Sequence, residues 1–230
     1  MAITAIEYSL IRLLRQQHIP LNIDILALGK VHWNGDVLID VLAQDIYSFA
    51  VEDTRQSLFR KLDEIVKEQR QSMSIEIAKI WWDTFWQPKS MASIDFCGTK
   101  DALKQDFNLP IDVPRKYGAV VNLATTEHIS DIWQVFKTMH DYTLPNGLII
   151  HGMPCSNLSE HGFNFHWDLV SANLYEFMIL YAEPNPLKFI RLDNREFAIE
   201  LVKNNQIAGD SLIYACLRKP AEENEFQIPN

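Results

Sequence analysis

Apolar residues recur at helical spacing near the start of the chain, at Ile6, Leu10, Leu13 and Leu14, which predicts a helix ended by His18-Ile19-Pro20. Asn22–Gly29 is a short apolar run stopped by glycine and reads as the first core strand. Residues 34–50 fit helix or strand, because Val37, Leu38, Ile39, Val41 and Leu42 satisfy both periods after an Asn34-Gly35-Asp36 turn or cap. Residues 54–80 are densely charged, with Leu58, Leu62, Ile65 and Val66 on one stripe. That pattern predicts an amphipathic helix interrupted near Ser72. Trp81, Trp82 and Trp86 follow within six residues and read as a packing plug rather than a ligand platform.

From residue 92 short apolar runs alternate with helical stripes. Ala92–Phe96 reads as a strand, Gly98-Thr99 as a turn and Lys100–Lys104 as a helical turn. Asp106-Phe107-Asn108 sits at a strand end before a loop through Pro114. Tyr117–Leu123 carries no charged side chain, as a strand buried on both faces does. Ile129, Ile132, Trp133, Phe136 and Met139 form a helical stripe, broken by Leu144-Pro145-Asn146-Gly147. Leu148–His151 begins another buried strand. Residues 161–166 read as an aromatic and polar loop, 166–175 and 194–204 as helices, 176–181 and 211–217 as late strands. This alternation predicts an α/β sheet with helices on both faces. The chain is read as a single domain over 1–230, with an N-terminal helix over 1–20, a helical insertion or lid over 30–91 and a loose tail over 221–230.

Composition narrows the partners. The chain has 230 residues and a net charge of −9, which disfavours nucleic acid and anionic membrane as partners. No apolar run approaches the roughly 20 residues needed to span a bilayer, and the start lacks the order of a signal peptide. A cytoplasmic location is the resulting expectation. Cys97, Cys155 and Cys216 lie far apart without a CxxC pair, so they read as free thiols rather than a disulfide or zinc framework. His161 and His166 are five apart with no third ligand evident, so no metal site is expected.

Several apolar runs end in polar groups. Asp95 ends one, Asp106 lies at the next, and Thr125-Thr126-Glu127-His128 follows a third. In an open parallel sheet, ligands bind beyond the carboxyl ends of the strands, and a carboxylate there can take a ribose diol. The pattern points to a nucleoside-containing ligand. No GxGxxG turn exists, which disfavours a nucleotide-redox reading.

The ordered set Asp95, Asp106-Phe107-Asn108, Thr125-Thr126-Glu127-His128, Pro145-Asn146-Gly147-Leu148, His151 and Pro154 resembles the class I S-adenosylmethionine-dependent methyltransferases. It is most similar to a bacterial branch with a Thr-Thr-Glu-His motif, and Ser211–Lys219 resembles that branch's last strand. The resemblance implies a Rossmann-like, seven-stranded, mostly parallel sheet. It implies S-adenosyl-L-methionine as cofactor, with Asp95 on the ribose, Phe96 packed on the adenine, and Asp106 and Phe107 bordering that ring. Thr125, Thr126 and Glu127 would line the floor near the methionine part. Where the wider superfamily has a glycine-rich turn, this chain offers Gly29 alone, with Gly35 six residues on.

Methyl transfer from a sulfonium needs in-line alignment above all, and a hydroxyl acceptor gains from a nearby base. His128 and His151 are the candidate bases. His161, Phe163 and His166 are candidates for the wall of an acceptor pocket. Plainer roles stand beside these. His151 fits a satisfied core histidine, Thr125 or Thr126 a helix cap, Glu127 a first-turn carboxylate, Asp95 a cap, and Asp106–Asn108 a turn. The expected activity is methyl transfer to a small-molecule oxygen or nitrogen acceptor, with a homodimer as the assembly considered. A methyltransferase-like binding or scaffold protein without turnover is the alternative. A hydrolase finds no GxSxG support.

Overall fold

The computed structural model describes residues 2–17, 19–68, 72–97, 102–123, 125, 129–155, 160–192, 194–203 and 211–229, with backbone alone at 160–164 and 201–203. In chain order the first elements are β1 (Ala2–Ile3), α1 (Ala5–Gln16), β2 (Asp24–Leu28), β3 (His32–Trp33), α2 (Ile39–Phe49), α3 (Glu52–Glu68), α4 (Met73–Phe85) and β4 (Ser90–Asp95). They continue with β5 (Leu103–Lys104), β6 (Tyr117–Leu123), α5 (Ile132–Tyr142), β7 (Thr143–Pro154), α6 (Glu160–Asn173), β8 (Glu176–Pro184), β9 (Leu187–Arg191), α7 (Arg195–Lys203) and β10 (Leu212–Arg218). Two compact units result: residues 1–24 with 30–91, and residues 25–29 with 92–230.

The first unit is helical. Thr4 caps α1 in a capping box: its hydroxyl accepts from the Ile6 N–H, and Glu7 accepts from the Thr4 N–H at 3.0 Å. On the buried side of α1, the Tyr8 hydroxyl donates to Asp45 of α2 at 2.7 Å, and Arg12 donates to the same carboxylate at 3.1 Å. The ambiguous 34–50 segment is helical from Ile39, because Leu42 and Ile46 need one buried stripe while Asp40 and Ser48 stay outward. The long charged run divides at Ser72 into α3 and α4. Trp81, Trp82, Phe85 and Trp86 are buried, with Trp81 and Trp82 meeting edge to face at 4.9 Å. The tryptophans pack as the sequence suggests.

The second unit is an eight-stranded sheet in the order β5-β4-β2-β6-β7-β10-β8-β9. The β5–β4, β2–β6 and β6–β7 pairs are parallel; β7–β10, β10–β8 and β8–β9 are antiparallel. The resemblance implies seven strands, and this sheet has eight. The additional one is β9, an edge strand whose Leu187-Lys188-Phe189-Ile190-Arg191 run mixes charged and apolar residues too evenly to stand out. The helical turn expected over 100–104 is corrected as well, since Leu103–Lys104 pairs with β4. The interruption expected at 144–147 lies within β7, where Asn146 takes φ 60°. Gly152 of β7 faces Tyr214 of β10 so closely that a Cβ there would lie 2.4 Å from the ring, which explains a glycine in mid-strand.

The tail read as loose is bound. Asn173 and Gln227 exchange two hydrogen bonds at 2.8 and 2.9 Å, and the His140 ring bonds the Asn224 carbonyl oxygen at 2.7 Å. Phe226 packs on the core. These residues carry few apolar side chains, so their anchoring by backbone groups leaves no mark in a hydropathy pattern. Beside them, buried Lys219 donates to the carbonyl oxygens of His140 and Thr143 at the end of α5.

Candidate functional site

Strand β2 is central, and the chain builds outward from it in two directions. β4 and β5 lie on one side, β6 and β7 on the other. The reversal falls between β2 and β6, and the carboxyl ends of the strands at such a reversal are where open α/β sheets have their ligand crevice.

On the β2 side, Gly29 follows the strand with φ 96°, a conformation that favours glycine. Its N–H donates to the Ile94 carbonyl oxygen at 2.7 Å, setting the corner beside Asp95. Asp95 ends β4, and its Oδ1 accepts from the Cys97 N–H at 3.0 Å in a local turn. Phe96 next to it is 63 % exposed. On the β6 side, the Thr125 hydroxyl donates to the Leu28 carbonyl oxygen at 3.1 Å, bridging the two strand ends. Its own N–H donates to Asn122 Oδ1 at 3.1 Å. Gly29, Asp95, Phe96 and Thr125 thus share one sheet edge.

Asp106-Phe107-Asn108 forms a turn after β5. Asp106 Oδ1 accepts from the Asn108 N–H and side-chain amide, each at 2.9 Å. Asn108 in turn accepts from the Ser130 and Asp131 amides at 3.0 and 3.3 Å, tying this turn to the start of α5. Phe107 is only 4 % exposed and belongs to the core. The residue capping α5 is Asp131, through Gln134, and not Thr125 or Thr126.

His151 and His166 meet each other. His151 Nδ1 lies 3.2 Å from His166 Nε2, both rings are fully buried, and Phe136 stacks over His151 at 4.5 Å. Burial first, and then the neighbouring His166, hold His151 well below the ordinary histidine range. Burial alone pulls His166 down to about 4. Both rings are therefore neutral near pH 7. The segment 161–166, expected as a loop, is the first half of α6, which turns His166 inward onto β7. Among the described residues, His151 and His166 are buried against each other rather than exposed at the strand ends. Phe163 and His161 lie on the first turns of α6, with side chains outside the described residues. Thr126, Glu127 and His128 also lie outside the described residues.

Sequence reasoning missed Asn122. Its mark was a lone amide in the run Tyr117-Gly118-Ala119-Val120-Val121-Asn122-Leu123. It is fully buried and pairs in register with His151 on β7. Elsewhere, α3 and α4 border two open grooves of about 270 and 450 Å³ that share Lys61 and Asp83. They belong to the helical unit and hold none of the residues gathered at the strand ends. Among the described residues no group of three or more His, Cys, Asp or Glu is placed to hold a metal ion, and no helix is long and apolar enough to cross a membrane.

No protein-family model and no curated protein matches this chain. Solved structures similar to it include a SAM-dependent methyltransferase from Archaeoglobus fulgidus, at 12 % identity over 92 % of each chain with a TM-score of 0.45. YjhP from E. coli is similar at 11 % identity over 96 % of this chain and 94 % of its own, with a TM-score of 0.43. The N-methyltransferase NodS from Bradyrhizobium japonicum WM9, in complex with S-adenosyl-L-homocysteine, is similar at 9 % identity over 94 % and 89 %, with a TM-score of 0.40. At these scores the likeness carries no weight of its own, and function has to be read from this chain's residues.

Proposed function

We propose that this chain is a class I S-adenosylmethionine-dependent methyltransferase acting on the oxygen or nitrogen of a small molecule. The observation that carries the reading is the corner at the reversal of strand order. There Gly29 brings bare backbone to the crevice, its amide fixed on Ile94, with the Asp95 carboxylate beside it at the end of β4.

The residues present suit a nucleoside. Asp95 takes the ribose diol, with its carboxylate already oriented by the Cys97 amide. The exposed ring of Phe96 offers an apolar face to the adenine. The Asp106–Asn108 turn borders that base, while Phe107 supports the turn from within the core. Thr125, with Thr126 and Glu127 from the sequence motif, contributes the floor. S-adenosylmethionine supplies the methyl group to be transferred. This chain's part is to bind, align and exclude water, which can supply most of the gain in an in-line displacement. His128 is the base the motif offers; His151 and His166 brace the sheet from inside.

The buried state of His151 favours one second reading, a binding protein without turnover. Thermal unfolding with S-adenosylhomocysteine tests the first step. A ligand bound only by the folded state adds about 2.7 kcal/mol at a hundredfold excess over its dissociation constant, and Asp95→Ala should abolish the shift. Cys155 and Cys216 are buried and Cys97 is exposed, so a maleimide reports on Cys97 selectively, two residues from Asp95. S-adenosylhomocysteine should slow that labelling. A protein showing neither shift nor protection at millimolar ligand is not of this class. Binding without turnover across an acceptor panel would select the second reading.

A further inference from the structure

Asn122 is an unusual residue for its place. It lies on β6, between strands on both sides, with no solvent exposure. A leucine there would fill space without the cost of burying an amide. Half of that cost is not even recovered, because Nδ2 has no hydrogen-bond partner among the described residues. Native structures leave few such groups, and each needs a reason. The paired half shows one. Asn122 Oδ1 accepts the Thr125 N–H at 3.1 Å, and Thr125 Oγ1 donates to the Leu28 carbonyl oxygen at 3.1 Å. Leu28 is the last residue of β2, immediately before the Gly29 corner. A single path of hydrogen bonds therefore runs from the interior of β6, through Asn122 and Thr125, to the end of β2. It closes the two strands across which the order reverses.

We infer that Asn122 is a positioning residue: by holding the Thr125 amide it aims the Thr125 hydroxyl at Leu28 and fixes the glycine corner against which the nucleoside lies. This rests on the proposed function for the identity of the ligand, but the latch itself is a property of the protein without ligand. It touches no ligand. Its effect reaches the site through Thr125 and the β2 end.

The test uses the full chain and four variants: Asn122→Ala, Thr125→Val, Thr125→Ser and the Asn122→Ala/Thr125→Val double. Three quantities are read: S-adenosylhomocysteine affinity by calorimetry, the unfolding temperature, and hydrogen exchange at the Thr125 amide without ligand. Asn122→Ala should weaken affinity about tenfold, what loss of one hydrogen bond of roughly 1.4 kcal/mol gives. Thr125→Val should do the same, and Thr125→Ser, which keeps the hydroxyl, should restore wild-type affinity. The double variant should be no more than two- to threefold weaker than the worse single, because both changes break one path. Exchange at Thr125 should accelerate at least tenfold in Asn122→Ala. Full additivity of the two losses, or wild-type affinity in Asn122→Ala, overturns the inference. Should Asn122→Ala fail to fold, equal affinities of the Val and Ser variants at 125 overturn it instead. A wild-type chain that binds no S-adenosylhomocysteine sinks the proposed function separately. The latch is then decided by exchange alone, faster in Asn122→Ala supporting it and unchanged overturning it.

Discussion

At the end of β4, Asp95 borders solvent beside a ring that is 63 % exposed. Three strands across the same sheet, His151 near the end of β7 has no exposure at all. Both are polar residues closing apolar strands, and their fates differ for two reasons. The first is cover. β7 runs between β6 and β10, and Phe136 from α5 and His166 from α6 close over it. Among the described residues only the two-residue β5 lies beyond β4. The second reason is chemistry. A histidine can enter the core by shedding its charge, whereas a carboxylate at pH 7 needs water or partners. A polar strand end is therefore open to a ligand only where its neighbours leave it uncovered and its own charge demands it.

Removing the cover is the harshest way to break this contrast. Phe136→Ala takes away a fully buried ring lying on His151. It should cost about 3–5 kcal/mol in urea unfolding. The opened space should admit water and move both histidines back toward 6.5, which ring-proton chemical shifts would register. Histidines that still titrate far below 6.5 in this variant would show that Phe136 is not what keeps them dry.

Acid does the same without mutation. Burial lowers both folded-state pKa values, that of His166 to about 4, so through His166 the unfolded chain holds more protons than the folded one between about 4 and 6.5. Stability from this source is complete above pH 6.5 and is lost as the pH falls toward 4. For His166 alone the loss is about 3 kcal/mol, at roughly 1.4 kcal/mol per pKa unit. Unfolding free energies measured from pH 7 to pH 4 should show this slope in the wild type. A His151→Phe/His166→Leu variant, with both polar partners replaced by apolar groups, should show a shallower one. Equal slopes would place the acid sensitivity elsewhere.

Much of this was legible from the chain and some was not. The strands β2, β6 and the second half of β7 announce themselves because buried strands are continuous apolar runs, and the α3–α4 break was marked by Ser72 between two charged stretches. β1, β3 and β5 have two residues each, too few to carry any period. Asp95 was singled out because strand-end carboxylates carry meaning in a parallel sheet, and it does end β4. His151 was read both as a candidate base and as a core histidine, and His166 as part of an acceptor wall, but the sequence could not decide which of them would be buried. Whether a ring meets solvent is set by α5 and α6, which are distant in sequence. The Asn173–Gln227 pair that holds the tail spans 54 residues and depends on backbone groups that every residue possesses.

The smallest effect makes the finest test, because it separates two phenylalanines that the sequence treats alike. Phe96 and Phe107 were both expected beside an adenine ring, yet one is 63 % exposed and the other 4 %. Phe107→Ala should cost about 3–5 kcal/mol of stability, as loss of a core ring does. Phe96→Ala should leave stability within about 0.5 kcal/mol, since an exposed ring contributes little to folding. Its effect should appear only with ligand. A stacked base is worth roughly 1–3 kcal/mol by alanine substitution, so S-adenosylhomocysteine affinity should fall at least fivefold while the ligand-free unfolding curve stays put. If affinity is unchanged, the adenine does not lie on Phe96, and the uncovered edge at β4 holds the ribose without the base. If the ligand-free curve itself moves, Phe96 is a structural residue despite its exposure, and the division between an open edge and a sealed one falls nearer the margin of the sheet than Asp95.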